Sequence, residues 1–183
     1  AFTAPAMFHA MDQLGVAQYI TRLGLTLEEP GALEAGKNDW LQSKAWQPLR
    51  QYVEDSLVVL DPVELFMAQN FALDGLLYPL LFTQYVDDHL ALKGGTAVAM
   101  LTNFIPEWHT ESARWIDAVI KVAAAESEHN RKLLTDWHGR YVERAFTALA
   151  PIAALALADD ADRAMSDVRA ALDARARKAG LDI

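Results

Sequence analysis

DPVELFMAQNFALDGLLYPLLFTQYVDD, residues 61–88, is a long apolar segment near the middle of a chain of 183 residues. It begins with a helix-start signal, because Asp61 is a capping residue, Pro62 suits the first helical position and Glu64 lies in the first turn. Apolar residues then cover every side of a helical wheel. A helix that is apolar all round is buried all round. The segment is therefore either the central helix of a large bundle or a helix partly covered by another chain.

The composition is that of a globular protein. The chain is 52% hydrophobic and 22% charged, and its length suits a single domain over residues 1–183. A net charge of -9 argues against a nucleic-acid partner, because phosphate binding needs clustered Lys and Arg. The absence of Cys excludes a thiol nucleophile or a thiolate metal site and permits a reducing compartment. We expect a cytoplasmic location.

A membrane span over residues 61–88 is not expected. Gln69, Asn70, Asp74 and Gln84 interrupt the apolar run, and a charge near the middle of a span is costly.

The rest of the chain also reads as helix, and strand signals are nearly absent. Besides residues 61–88, the pattern predicts helices over 5–23, 46–60, 96–125, 128–157 and a last one ending at Gly180. Lys93, Gly94 and Gly95 are predicted to break the chain, and Pro106 is expected to kink the 96–125 helix. The first is expected to face a core with Phe8, Met11, Leu14, Tyr19 and Leu23. Residues 24–39 read as an irregular connection. Three helices near 25–30 residues, well above the mean of about 12, predict an all-α long-helix bundle.

Long-helix bundles often hold a di-iron centre, which uses two Glu-x-x-His motifs and two further Glu. Residues 126–129, Glu-Ser-Glu-His, fit the spacing. They also straddle a proposed helix break, where Ser127 is a plausible cap, and polar residues surround them. The alternative reading is a solvated helix junction, which we favour because a metal motif belongs on a continuous buried helix.

Glu111-Ser112-Ala113-Arg114 has the Glu of such a motif but places Arg where the His would be. Arg stays protonated and cannot ligate a metal. Glu111 and Arg114 are therefore predicted to form an ion pair, either one that replaces a lost metal site or an ordinary surface pair. Nearby Trp108 and Trp115 suggest partial burial.

The remaining His residues, His9, His89, His109 and His138, have no carboxylate at ligand spacing on an apolar face. We expect them to be surface or hydrogen-bonded residues. Hydrolase, P-loop and dinucleotide-binding motifs are absent from the sequence. The residues alone do not predict an independent active site.

Several stretches together resemble a known family: TAPAMFHAMDQLGVAQY (3–19), WQPLRQYVEDSLVVLDPVELFMAQNFALDGLLYPL (46–80), GGTAVAMLTNF (94–104), EWHTESARWIDAVIKVAAAES (107–127) and LLTDWHGRYVERAFTALAPIAALAL (133–157). They are similar to the β subunit of the hydroxylase component of soluble bacterial multicomponent di-iron monooxygenases. The phenol hydroxylase branch is closest, and toluene, alkene and methane monooxygenases are relatives.

The resemblance implies a ferritin-like helical fold without its own metal site. The di-iron centre would belong to a partner α subunit, and this chain would carry no cofactor. The β subunit would build an αβγ hydroxylase dimer, on which an effector protein and a flavin/iron–sulfur reductase act. Family members carry a longer N-terminal part, so we expect this chain to be the C-terminal part of a longer β subunit.

The leading interpretation is thus a non-catalytic structural subunit of an NADH-dependent phenol or aromatic monooxygenase. The complex would use O2 and serve aromatic hydrocarbon catabolism; phenol, toluene and small alkenes all stay open as substrates. Expected interface residues are Trp108, Trp115 and the outer side of the 61–88 helix, where Asn70 and Asp74 would be satisfied by hydrogen bonds. The alternatives are an independent helical bundle that binds di-iron or an apolar ligand, and a helical interaction protein unrelated to oxygenases.

Overall fold

The computed structural model describes residues 3–28 and 30–183. Its residues pack as two compact units, Ala1–Gln47 and Pro48–Ile183. The described part of the chain contains helices and turns but no strand, which confirms the all-α class. Two compact units can belong to one domain, so the single domain expected over residues 1–183 stays a prediction.

The first unit is built from two helices, α1 (Thr3–Glu28) and α2 (Pro30–Gln42). The irregular connection predicted over residues 24–39 is wrong, because helix covers its described residues. Pro is tolerated in a first helical turn, so Pro30 begins α2. An internal Gly costs a helix only about 1 kcal/mol, so Gly24 does not end α1.

The predicted apolar face of α1 is mostly uncovered. Phe8, Met11 and Leu14 are exposed, whereas Tyr19 and Leu23 are half-buried. The expectation that this whole face lies against a core is therefore wrong within the first unit. α2 has 13 residues against the 26 of α1, so it covers only part of its neighbour.

The second unit contains the long helices. They are α4 (Pro62–Lys93), α6 (Phe104–Glu126), α7 (Glu128–Leu157) and α8 (Ala161–Lys178). Two short helices accompany them: α3 (Gln47–Ser56) precedes α4, and α5 (Thr96–Thr102) lies between α4 and α6. α7 packs against α4, α6 and α8. The largest fully buried side chains of this core are Phe71, Met67, Leu76, Leu80, Ile105, Ile116, Ile120, Leu149, Leu172 and Val142.

The helix α4 is the central element that its sequence predicts. The Asp61 carboxylate accepts hydrogen bonds from the backbone N–H groups of Val63 at 2.8 Å and Glu64 at 3.1 Å, so the predicted cap is confirmed. Residues 66–68 and 71–76 are buried inside this chain. The all-round apolarity of this part of the helix is therefore used within its own bundle.

Two stretches of α4 are π-helical, a feature that the sequence analysis did not predict. They are Met67–Leu73 and Pro79–Leu90, and the Asp74 N–H that follows the first donates to the Gln69 carbonyl five residues back. The second stretch begins at Pro79, which has no backbone N–H to donate to the carbonyl four residues earlier, as an α-helix requires. The Tyr52 hydroxyl of α3 donates to the Ala68 carbonyl in the first stretch at 2.8 Å.

The helix predicted over residues 96–125 is divided in two. The sequence predicts a kink at Pro106, but the interruption lies at Asn103, between α5 and α6. Pro106 cannot donate to the Thr102 carbonyl four residues earlier, so the regular pattern fails one turn before the proline. The predicted break at residues 93–95 is present, with Gly94 at a left-handed φ of 101°.

Two helical stretches, Pro62–Lys93 and Glu128–Lys178, are long and apolar enough to cross a membrane by length and composition alone. In the first stretch, 61% of the most apolar 18-residue segment is buried inside the protein. Core helices of globular bundles are equally long and apolar. Packing around α4 accounts for its apolar surface.

Candidate functional site in the bundle interior

The four long helices of the second unit carry a set of inward-facing polar residues. The set comprises Asp74 on α4, Asp117 on α6, His138 on α7, and Asp173 and Arg175 on α8. A buried polar group is costly unless it is hydrogen-bonded. The partners of these groups therefore determine what chemistry the interior can support.

Asp117 and Arg175 form a bidentate ion pair between α6 and α8. Arg175 Nη2 lies 2.8 Å from Asp117 Oδ1, and Arg175 Nε lies 3.2 Å from Asp117 Oδ2. Their side chains are 21% and 31% exposed, for Arg175 and Asp117 respectively. This geometry uses the fork of the guanidinium fully, so the carboxylate is held by two charge-assisted hydrogen bonds.

The central helix makes room for this guanidinium. The Arg175 Cζ atom lies 5.2 Å from the centre of the Phe71 ring, within the range of a cation–π contact. A Cβ added at Gly75 would lie 3.3 Å from Arg175 Nη1 and 2.7 Å from Leu172 Cδ1. The absence of a side chain at Gly75 therefore lets α8 approach α4 closely.

Asp74 is the most deeply buried carboxylate of the set, at 2% exposure. Gln69 Nε2 donates to Asp74 Oδ1 at 3.1 Å. The predicted hydrogen bonding of Asp74 is thus present, and Asn70 is half-buried.

His138 lies on α7 and faces Asp173 on α8. Its ring is 3% exposed, and Nε2 lies 3.5 Å from Asp173 Oδ1. Burial lowers the pKa of His138, and the nearby Asp173 carboxylate opposes part of that shift. Arg169 Nε also donates to both Asp173 oxygens at 3.3 Å. The carboxylate is therefore already matched by a cation, and the imidazole is neutral near pH 7.

Glu64, in the first turn of α4, is held by α7. Arg140 Nη1 donates to Glu64 Oε1 at 2.9 Å, and the Tyr141 hydroxyl donates to the same oxygen at 2.8 Å. Burial raises the pKa of Tyr141, and the hydrogen bond to Glu64 raises it further. Tyr141 therefore stays protonated as a donor, and Glu64 is engaged without a metal.

These residues do not fit a di-iron centre. Such a centre uses four carboxylates and two His that converge on the metals. Here Asp117 is paired with Arg175, Asp173 with Arg169, and Glu64 with Arg140. Among residues 3–28 and 30–183, no group of three or more His, Asp or Glu side chains could hold a metal ion.

Glu111 and Arg114 lie one turn apart on α6. Both side chains are exposed, and no ion pair in the described part of the chain joins them. Their interpretation as a remnant of a metal site stays a prediction. The ion pair between long helices lies instead at Asp117 and Arg175.

The two tryptophans predicted at a subunit interface are half-buried against α4. The Trp115 ring centre lies 5.4 Å from that of Phe66, and the Trp108 ring centre lies 5.3 Å from that of Tyr78. Their inner sides pack within this chain and each keeps some exposed surface. Their role at an interface stays a prediction, as does that of Asn70.

Residues 126–129 form a helix junction, as favoured from the sequence. Glu126 ends α6, and Ser127 is extended and accepts a hydrogen bond from the Asn130 N–H at 3.1 Å. His129 is exposed. The two halves of the motif therefore belong to different helices.

The isolated His residues are less exposed than surface positions would be. His9, His109 and His138 are buried, and His89 is half-buried. The His109 ring stacks on Tyr78 with centres 5.2 Å apart, and His9 Nε2 lies 3.3 Å from Gln13 Nε2. Ring packing, which sequence spacing does not show, holds His109.

Sequence reasoning missed Arg175 as an interior residue. The sequence places Arg175 among three cations near the C-terminus of the last helix, where positive charges interact favourably with the helix dipole. A usable signal was its position in the series Val168, Leu172, Arg175, Ala179, whose 4-3-4 spacing follows the buried side of a helix. A cation on that side needs an inward-facing anion, and Asp117 supplies it.

Comparisons with known proteins give consistent results. The family described as methane/phenol/alkene hydroxylase matches residues 1–127. The chain is 44% identical over 177 residues to the phenol 2-monooxygenase oxygenase component DmpL of Pseudomonas sp. strain CF600. It is 39% identical over 181 residues to the phenol 2-monooxygenase oxygenase component MhpL of Acinetobacter pittii strain PHEA-2.

These matches cover 96% and 98% of this chain but 52% and 53% of the relatives. The chain thus spans about half the length of the curated relatives it matches. A chain in the crystal structure of xenon-pressurised phenol hydroxylase from Pseudomonas sp. OX1 is also similar, with 39% identity and a TM-score of 0.88. That match covers 94% of this chain and 52% of the solved one.

The structural likeness confirms the predicted ferritin-like helical fold. The family match extends over more than half of the chain and includes the whole central helix α4, Asp117 of the ion pair and the cap residue Ser127. The chain belongs to the methane/phenol/alkene hydroxylase family.

Proposed function

We propose that this chain is a non-catalytic structural β subunit in the hydroxylase component of a phenol-type aromatic monooxygenase. Its similarity to two phenol 2-monooxygenase oxygenase components over nearly its whole length supports this assignment. The complex would insert one atom of O2 into an aromatic substrate with electrons from NADH. Phenol is the substrate class that the names of the relatives favour.

The observation that carries the structural role is the ion pair between Asp117 and Arg175. Arg is always protonated and cannot bind a metal, and a cation there satisfies the inward-facing carboxylate by itself. The pairs formed by Glu64 and Asp173 follow the same pattern, since each carboxylate has an Arg partner. The interior is therefore suited to hold helices together rather than to hold iron.

The di-iron centre would then lie in the partner α subunit. A γ subunit would complete an αβγ dimer, with an effector protein and a flavin/iron–sulfur reductase acting on it in the cytoplasm. In that assembly this chain would scaffold the α subunit and would contact neither nucleic acid nor a membrane.

Iron analysis of the purified chain tests the non-catalytic assignment. We expect substoichiometric iron after expression in iron-rich medium, with no absorbance or paramagnetic signal of a bound cluster. Iron at the two equivalents per chain of a di-iron centre would overturn the assignment. It would favour the alternative of an independent di-iron bundle.

Co-expression with the neighbouring hydroxylase subunits tests the partner assignment. We expect the chain to co-purify with the subunit that carries two Glu-x-x-His motifs, and we expect iron in the purified complex to be assigned to that subunit. Failure of the chain to associate with that subunit would contradict the structural role.

A further inference from the structure

The first π-helical stretch of α4 contains a side-chain hydrogen bond whose spacing does not suit an α-helix. The Gln69 side chain donates to the Asp74 carboxylate at 3.1 Å, across five positions of the chain. Side chains three or four positions apart are neighbours on an α-helix, whereas the fifth residue lies about 140° away at 100° per residue. In this stretch the Asp74 N–H also donates to the Gln69 carbonyl. The side-chain bond is therefore specific to the π form of the turn.

The surroundings of this bond make it costly to lose. Asp74 is 2% exposed, so its carboxylate needs donors from within the protein. Rotation of Asp74 into an α-helical position would carry it away from the Gln69 amide. From outside α4, the Tyr52 hydroxyl donates to the Ala68 carbonyl at 2.8 Å and ties the same stretch to α3. The π turn is thus held both within its own helix and from a neighbouring one.

The register of α4 beyond this turn determines which residue faces α8. A π turn holds about one residue more than an α turn. If α4 were α-helical throughout and its first half stayed in place, Asp74 would therefore take the present position of Gly75. A Cβ at that position would lie 2.7 Å from Leu172 Cδ1, and Leu172 is itself buried at 1% exposure. The close approach of α8, which carries Arg175, thus depends on the π turn.

We propose that Gln69 and Asp74 form a register lock, which holds the turn Met67–Leu73 in its π form and thereby places Gly75 opposite α8. Without the lock the turn relaxes toward the α form, in which the second half of α4 is rotated by about 100° relative to the first. Buried polar groups select one helix arrangement over another in this way, as a single buried Asn fixes the register of a coiled coil. The register lock belongs to this chain alone and does not depend on the proposed function.

Deletion of Asn70 tests whether the stretch holds one residue more than an α-helix needs. Asn70 is half-buried, whereas Ala68 and Phe71 are fully buried. The deletion shortens the spacing of Gln69 and Asp74 from five positions to four, so the turn should become α-helical while the residues beyond it keep their faces. We expect cooperative urea unfolding, followed by circular dichroism, with a midpoint within about 0.5 M of that of the unaltered chain.

Deletion of Gly139 is the matched control. Gly139 is exposed on α7, which is α-helical there, and a Cβ at this position would meet nothing within 4 Å. Its deletion turns the buried residues beyond it by about 100°, so we expect cooperative unfolding to be lost. Equal damage from the two deletions would overturn the proposal.

The lock itself is tested by Asp74→Leu, alone and in the chain that lacks Asn70. Alone, it should lower the urea midpoint by about 1 M, whereas Asp74→Asn, which can still accept from Gln69, should change it little. In the chain that lacks Asn70, an α-helical turn needs no lock. The combined variant should therefore unfold at a higher urea concentration than Asp74→Leu alone, although two independent losses would add.

Each outcome of this comparison decides for or against the register lock. An unchanged midpoint in Asp74→Leu, or a combined variant that is less stable than Asp74→Leu, would overturn it. If Asp74→Leu does not fold, recovery of cooperative folding in the combined variant supports the lock, and failure to recover overturns it. A crystal structure of the chain that lacks Asn70 should show an α-helical turn with Gly75 still opposite Leu172. A π turn that persists there would contradict the proposal.

Discussion

Removal of the Arg175 guanidinium should destabilise the second unit by about 2–3 kcal/mol. Hydrogen bonds to charged groups contribute roughly 1.5–3 kcal/mol to stability. The contribution of this pair lies toward the lower end of that range, because the Arg175 and Asp117 side chains are 21% and 31% exposed to solvent. The cation–π contact with Phe71 adds about 0.5–1 kcal/mol. Arg175→Met keeps much of the aliphatic stem, so the loss reports mainly on the charge.

Urea denaturation followed by circular dichroism measures this loss. The free energy of unfolding falls with urea concentration by about 2 kcal/mol per M. A loss of about 2 kcal/mol in that free energy therefore lowers the urea concentration at the midpoint of unfolding by about 1 M. A double-mutant cycle with Asp117→Asn separates the pair from its surroundings, and we expect a coupling energy of about 1–2 kcal/mol.

Arg163→Met is the control on the same helix. Arg163 is 62% exposed and pairs with Asp160 and Asp167 at 3.4 Å, so its removal should cost less than about 0.5 kcal/mol. A coupling energy between Arg175 and Asp117 below about 0.5 kcal/mol would refute the reasoning. The interior pair would then be no stronger than a surface pair.

Three further predictions concern single positions. Gly75→Ala should destabilise the second unit by about 1–2 kcal/mol in urea denaturation, because the new Cβ meets the buried Leu172 side chain and the Arg175 guanidinium. Gly139→Ala is the control and should stabilise by up to about 1 kcal/mol, because a Cβ there has nothing within 4 Å. A change in the free energy of unfolding of the same sign for both variants would contradict the packing argument. Asp61→Ala should lower stability by about 1 kcal/mol while Asp61→Asn leaves it nearly unchanged, and equal losses in thermal unfolding would show that capping is not the cause. Because burial lowers the pKa of His138 below the unfolded value of about 6.5, the unfolded chain binds more protons as the pH falls through that value, and stability falls with it. His138→Gln should therefore flatten the decline of the free energy of unfolding between about pH 7.5 and 5.5, and an unchanged slope would contradict this role.

The sequence predicted the features of the fold that depend on local chemistry. The cap at Asp61, the cap at Ser127 and the break at Gly94 are all present. Each depends on one residue's hydrogen bond or backbone conformation, so a few neighbouring residues suffice to read it.

The missed features depend on contacts or on effects that act at a distance along the chain. The interruption at Asn103 follows from a proline three residues later. The exposure of Phe8 depends on how much of α1 the shorter α2 can cover. The role of Arg175 depends on Asp117, 58 positions away. Spacing rules within one helix cannot show which helices meet, so the candidate site was the least predictable part.

The π-helical stretches of α4 affect how this chain is compared with its relatives. A turn closed by hydrogen bonds to the fifth residue holds about one residue more than an α-turn. The side chains that follow Met67–Leu73 therefore point in the directions expected if one residue had been inserted into a regular α-helix. An alignment that runs through this stretch without a gap would match Asp74 to the wrong side of a relative that is α-helical there. The Tyr52 hydroxyl, which donates to the Ala68 carbonyl, is a better anchor for the register than the helical period.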